Sequence, residues 1–94
     1  MTATISSTSV VGPAPGVIAQ PVPQGVLLLD MASGEYFSLE ETGGRVWVLC
    51  DGQRSAHDVA VTLADEYDVE VAVVSEDVVE LLTDMIDAGL LVLV

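Results

Sequence analysis

The spacing of apolar residues changes period once along this chain, near residue 40. Before that point the pattern is that of strands. "VLLLD" (26–30) is a continuous apolar run, as in a strand buried on both faces. "YFSL" (36–39) alternates, with Tyr36 and Ser38 on one face and Phe37 and Leu39 on the other. "MASGE" (31–35) joins the two, and Gly34 can take the positive φ of a hairpin. Upstream, "VIAQPV" (17–22) reads as a short strand. Pro21 lacks an N–H and confines it to a sheet edge or a strand end. "PQG" (23–25) marks the turn. The first half is therefore a three-stranded antiparallel meander. Residues 1–15, Ser/Thr and then Pro/Gly, read as a flexible tail, which leaves residues 16–94 as one domain.

After residue 40 the period becomes helical. Ser38 and Glu41 have capping-box spacing, and Thr42 is an alternative N-cap. The helix runs to about Cys50, with Val46, Trp47 and Cys50 on one face, and Asp51-Gly52 stops it. Ser55 and Asp58 form a second cap pair. Val59, Ala60, Leu63, Ala64 and Tyr67 then recur at helical spacing. Trp47 and Tyr67 are expected in the core. Ser75 is the expected cap of a third helix, with Glu76 and Asp77 where the dipole favours acids. Gly89 ends it, and "LLVLV" (90–94) is an apolar extended tail packed on the domain. The fold class is α+β: a three-stranded antiparallel sheet followed by three helices, the layout of a winged helix-turn-helix variant.

On the third helix Val78, Leu81, Leu82, Met85 and Ile86 fill one arc, and Glu76, Asp77, Glu80, Asp84 and Asp87 the other. Leu81 lies on the seam, between Asp77 and Asp84. Such a face is either plainly solvated or the border of a groove for a ligand that is apolar with basic flanks.

Charge narrows the function. The chain has 15 acidic residues against two Arg and no Lys, a net charge of −13. It would repel a phosphate backbone or anionic lipid, so nucleic acid and membranes are not expected partners. The acidity either keeps a small apolar domain in solution or favours a basic partner. One cysteine allows no internal disulfide and no multi-Cys zinc site. Residues 1–20 lack the basic start and apolar run of a secretory signal, and the cytoplasm is the simplest placement. For catalysis the only nucleophile–base candidates are Cys50, His57 and Asp58. Cys50 falls on the apolar side of its helix, where buried thiols are inert packing, so no enzyme is expected. No calcium-type loop, phosphate loop or cofactor motif is present.

The order "VLLLD", Gly turn, "YFSL", Thr-Gly, Val-Trp, Asp-Gly, a second helix closing near Tyr67 and a last helix closing on Gly-Leu resembles the PqqD-like proteins, or RiPP recognition elements, over residues 17–92. Glu40 departs from the pattern, which usually has Asn there to cap the first helix, so Ser38 or Thr42 would take that role.

The resemblance implies a module without cofactor or chemistry. Such a module binds the leader segment of a ribosomally made precursor peptide by adding it as a strand to the meander's third strand, against the third helix. It implies a peptide-binding surface of Glu35, Tyr36, Phe37, Ser38 and Leu39 with Asp77, Val78, Glu80, Leu81, Asp84 and Met85. In that role Tyr36 is either a packing or a ligand residue. A short, acidic, free-standing member most resembles the leader-binding partner of the lasso-peptide protease, a transglutaminase-like cysteine peptidase. A PqqD-type peptide chaperone serving a radical SAM or other RiPP-modifying enzyme is the alternative. A DNA-binding winged helix is opposed by the acidic third helix. An open strand edge would also allow a homodimer.

Overall fold

The computed structural model describes residues 5–94. Its elements run β1 (Val11–Pro13), β2 (Val17–Val22), β3 (Gly25–Asp30), β4 (Tyr36–Glu40), α1 (Thr42–Leu49), α2 (Ala56–Tyr67), α3 (Val71–Asp87) and β5 (Leu91–Leu93). β2, β3 and β4 form the expected antiparallel meander in that spatial order. On its inner face Val26 lies opposite Leu39, and Leu28 opposite Phe37. α1 packs on β3 and β4, and α2 packs on α3. The core joins Val26 and Leu28 to Val46 and Leu49 of α1, Val59 and Leu63 of α2, and Val78, Leu82 and Met85 of α3.

The N-terminal segment differs from expectation. Residues 1–4 of the expected tail lie outside the described residues, but Val11–Pro13 is a strand, paired antiparallel with β5. Val11 is fully buried. Burying one such side chain stabilises by roughly 1.5–3 kcal/mol. The segment also satisfies donors that would otherwise be orphaned at the start of α2. The amides of Ala56 and His57 donate to the carbonyls of Ser9 and Ser7, both at 2.8 Å. The domain therefore begins upstream of residue 16, and the apolar tail 90–94 is docked by that same strand.

Two helix starts also differ. α1 has neither Ser38 nor Thr42 as N-cap. The position belongs to Glu41, whose side chain makes no cap bond and whose φ is 49° and ψ −115°. α3 begins at Val71, with Glu70 as N-cap, and Ser75 lies inside it. Val71 and Val74 pack against the core on the same side as Val78, so burial extends the helix one turn beyond the polar signal. The Ser55–Asp58 capping box of α2 is present as read.

Candidate functional site

The two outer strands of the meander are not equivalent, and hydrogen-bond parity explains why. The Asp30 amide donates to the Glu35 carbonyl at 3.0 Å, and the Glu41 amide to the Gln24 carbonyl at 2.8 Å. Given the β3–β4 register, antiparallel alternation places Phe37 and Leu39 in the hydrogen-bonded pairs. Tyr36, Ser38 and Glu40 then direct their N–H and C=O groups away from β3, to an open edge. Phe37 and Leu39 are half-buried on the inner face, while Tyr36 (67% exposed), Ser38 and Glu40 are exposed.

On β2 the Met31 amide donates to the Gly16 carbonyl at 2.9 Å. With the β2–β3 register, Val17, Ala19 and Pro21 face outward. Pro21 has no N–H to offer, and the Val17 amide already donates to the Ala14 carbonyl at 3.3 Å. The β2 edge is thus blunted as a pairing template, and the β4 edge is not.

Past the end of β4, residues of α1, α2 and α3 line an apolar cavity of about 150 Å³. Its floor is Val46, Leu63 and Val78, all buried. Its rim includes Thr42, two residues beyond β4, with Tyr67, Asp77 and Leu81. The Thr42 hydroxyl donates to the Tyr67 hydroxyl oxygen at 3.5 Å. A shallower depression of about 250 Å³ adjoins it, lined by Asp77, Glu80, Leu81 and Asp84.

The expected site residues divide accordingly. Asp77, Glu80, Leu81 and Asp84 are brought to one surface, and Asp77, Val78 and Leu81 to the cavity. Met85 is only 3% exposed and packs in the core beneath that surface, because it continues the buried side of α3 with Val78 and Leu82. The Glu35 carbonyl and amide are engaged in the hairpin, with Asp30 and the Ser33 hydroxyl, so its backbone adds nothing to the open edge. Outside the expected set, the structure places Glu40 on the open edge and Thr42 and Tyr67 on the cavity rim. Tyr67 is half exposed on the cavity rim and not in the core. Strand parity from the hairpin register would have found Glu40; the cavity rim depends on how three helices cross.

The catalytic candidates are occupied otherwise. Cys50 is buried, and desolvation, with the nearby Asp51 charge, pushes its thiol up to about 12. Asp58 is held in the α2 capping box, and His57 is exposed beside it. Among the described residues no group of three His, Cys, Asp or Glu is placed to hold a metal ion.

Residues 25–91 match the family model described as coenzyme PQQ synthesis protein D (PqqD). No curated protein matches. Three solved structures are similar. TbiB1 in complex with the TbiA(beta) leader peptide is 25% identical, with 85% of this chain and 93% of that one covered and a TM-score of 0.78. A lasso peptide synthetase B1 complexed with the leader peptide is 29% identical, with 87% and 96% covered and a TM-score of 0.78. The PqqD truncation of Methylobacterium extorquens PqqCD, a stand-alone RiPP recognition element, shares the fold at 22% identity, 95% coverage of both chains and a TM-score of 0.79.

Proposed function

The chain belongs to the PqqD family, and on that premise we propose that it is a non-catalytic recognition module for a ribosomally made precursor peptide. It takes the leader region as a further strand on β4 and holds it against α3. The observation that carries this reading is the asymmetry of the sheet: β4 offers the outward backbone groups of Tyr36, Ser38 and Glu40, whereas Pro21 and the engaged Val17 amide blunt β2. Main-chain bonds would give affinity, and the α3 surface would select side chains.

The likeness to two complexes with leader peptides, one of them of a lasso peptide synthetase B1, supports a place in lasso peptide maturation. There the domain hands the leader to a separate transglutaminase-like cysteine peptidase in the cytoplasm. Among the described residues no helix is long and apolar enough to cross a membrane. The family description, coenzyme PQQ synthesis protein D, favours one second reading, a PqqD-type chaperone, which would serve a radical SAM or other RiPP-modifying enzyme.

The test is a titration of the full chain into a fluorescent leader peptide from the precursor encoded beside its gene. Saturable sub-micromolar binding with competition by unlabelled leader is expected. Absence of binding at tens of micromolar would overturn the reading. Stimulation of leader cleavage by the co-expressed peptidase separates the lasso role from the radical-enzyme role.

A further inference from the structure

Three observations meet at the first half of α3. The first is the apolar cavity of about 150 Å³, open beside Thr42, Asp77 and Leu81. A cavity of roughly that size lined by aliphatic side chains holds a six-carbon apolar group. The second is the adjoining depression with the carboxylates of Asp77, Glu80 and Asp84; it shares Asp77 and Leu81 with the cavity, so hole and acidic rim are continuous. The third concerns counter-charge. Arg45 forks onto Glu66, its Nη2 2.6 Å from Oε2, and Arg54 Nη1 lies 2.8 Å from Asp51 Oδ2. The chain has no lysine, and its one histidine is in the first turn of α2. Both arginines are therefore committed elsewhere, on a chain of net charge −13.

We propose that the peptide strand taken by this domain carries one Leu-, Ile- or Phe-sized side chain that fills the α1–α2–α3 cavity, and a Lys or Arg two or four positions away that faces Asp77, Glu80 and Asp84. The spacing follows from the geometry. Asp77 and Asp84 are seven residues apart on α3, about 10 Å along its axis. Side chains on one face of an extended peptide recur every second residue, about 6.6 Å apart. A cation two or four positions from the anchor thus stays within reach of the carboxylates, whereas one at an odd spacing points to the opposite face. The apolar anchor supplies burial, and the cation supplies register and encounter rate. This inference rests on the strand-addition reading and specifies its ligand.

The test is selection of a phage-displayed random dodecapeptide library on the full chain, followed by anisotropy with the best binder labelled with fluorescein. The expected sequences pair one large apolar residue with Lys or Arg two or four positions away. The Asp77→Asn/Glu80→Gln/Asp84→Asn triple variant should lose about tenfold in affinity, as expected for a few partly exposed ion pairs. Replacing the peptide's Lys or Arg by Gln should remove the difference between the two proteins. Enriched peptides without a basic residue, or unchanged affinity of the triple variant, overturn the inference. If Ser38→Pro still abolishes binding of those peptides, strand addition stands without it. Peptides that bind the Ser38→Pro variant equally well, or a library that yields none, overturn strand addition and this inference together.

Discussion

Gly44 lies directly over Leu39: a Cβ built on Gly44 would sit 3.0 Å from the Leu39 carbonyl oxygen and 3.1 Å from the Gly25 Cα. Both neighbours are backbone atoms of the β3–β4 pair, so neither can rotate away. This crossing lets α1 press against β4 and holds the strand whose other edge is open. It also gives the Gly43-Gly44 pair its physical meaning, because the two glycines do different things. A Cβ on Gly43 would meet only the Leu39 side chain, at 3.8 Å, an ordinary contact.

Substituting each glycine with alanine should therefore have opposite signs. Gly43→Ala gains helix propensity, and should stabilise by about 0.5–1 kcal/mol. Gly44→Ala gains the same propensity but forces α1 off the sheet. It should destabilise by about 1 kcal/mol net, within the range for overpacked sites. Thermal melts of the two variants check this, with shifts of roughly 4–8 °C per kcal/mol for a domain of this size.

Glu41 occupies a backbone conformation that favours glycine, at φ 49° and ψ −115°. The position turns the chain from β4 into α1, and its carbonyl accepts the Arg45 amide at 3.0 Å. Strain of this kind in a non-glycine residue costs on the order of 1–3 kcal/mol, against about 0.5–1 kcal/mol of extra unfolded-state entropy for glycine. Glu41→Gly should raise the melting temperature by a few degrees. A decrease would mean that the junction is relaxed as it stands.

Local signals in the sequence located most of the framework. The 26–30 strand, the 36–39 alternation and the Ser55–Asp58 box each depend on neighbours within a few residues, and each appears in the structure. The 26–30 strand is not buried on both faces, however, because only Val26 and Leu28 reach the core while Leu27 and Leu29 stay half-buried on the other side of the sheet. The failures have a common physical origin. Val11 is a core residue only because residues 91–93, at the far end of the chain, pair with it. α3 starts early because Val71 and Val74 find the core, which outweighs the polar cap signal of Ser75. Of the expected site, the α3 acids and Leu81 were legible from helical spacing. Tyr67 was misplaced because its spacing fits a core face, but it sits near the helix end, where the neighbouring helices leave a cavity. The distinction between the β2 and β4 edges needs register, which no single-strand pattern contains.

Glu66 should make a pH-dependent contribution of a definite sign. The hydrogen bonds from Arg45 hold its carboxyl below the ordinary value of 4.5. A depressed carboxyl stabilises the fold above its unfolded value, and that contribution is lost as pH falls through the folded one. Acidification also relieves repulsion in so acidic a chain, so the raw melting temperature mixes two effects. The difference between the wild type and Glu66→Gln isolates one. It should favour the wild type at neutral pH, shrink below pH 4.5, and shrink with added salt.

Cys50 should be silent in the native state. Burial pushes its thiol to about 12, so at pH 8 almost no thiolate exists, and the group is enclosed. A thiol reagent such as DTNB should react with the folded domain only as fast as it unfolds, and at once in denaturant. Cys50→Ala, if it retains a cooperative melt, should bind leader peptide as the wild type does. Loss of a measurable processing activity in that variant would argue for a chemical role.

The open edge of β4 gives the most direct prediction, because the backbone of Ser38 and not its hydroxyl is what a peptide strand would need. Ser38→Pro removes an N–H that parity directs away from β3, so the β3–β4 ladder keeps its bonds. The φ of proline is close enough to that of a strand for an edge position. Leader binding should fall by more than tenfold while the melting temperature changes by only a few degrees. Ser38→Ala retains the N–H and should bind as the wild type does. Leu81→Glu supplies the complementary test on α3: Leu81 is half-buried and borders both depressions, so a carboxylate there should abolish binding at a stability cost of about 1 kcal/mol. If Ser38→Ala impaired binding as severely as Ser38→Pro, the hydroxyl would be the contact and strand addition at β4 would be wrong. If Ser38→Pro unfolded the domain, the Ser38 N–H would belong to the β3–β4 ladder, and the parity that defines the open edge would be reversed.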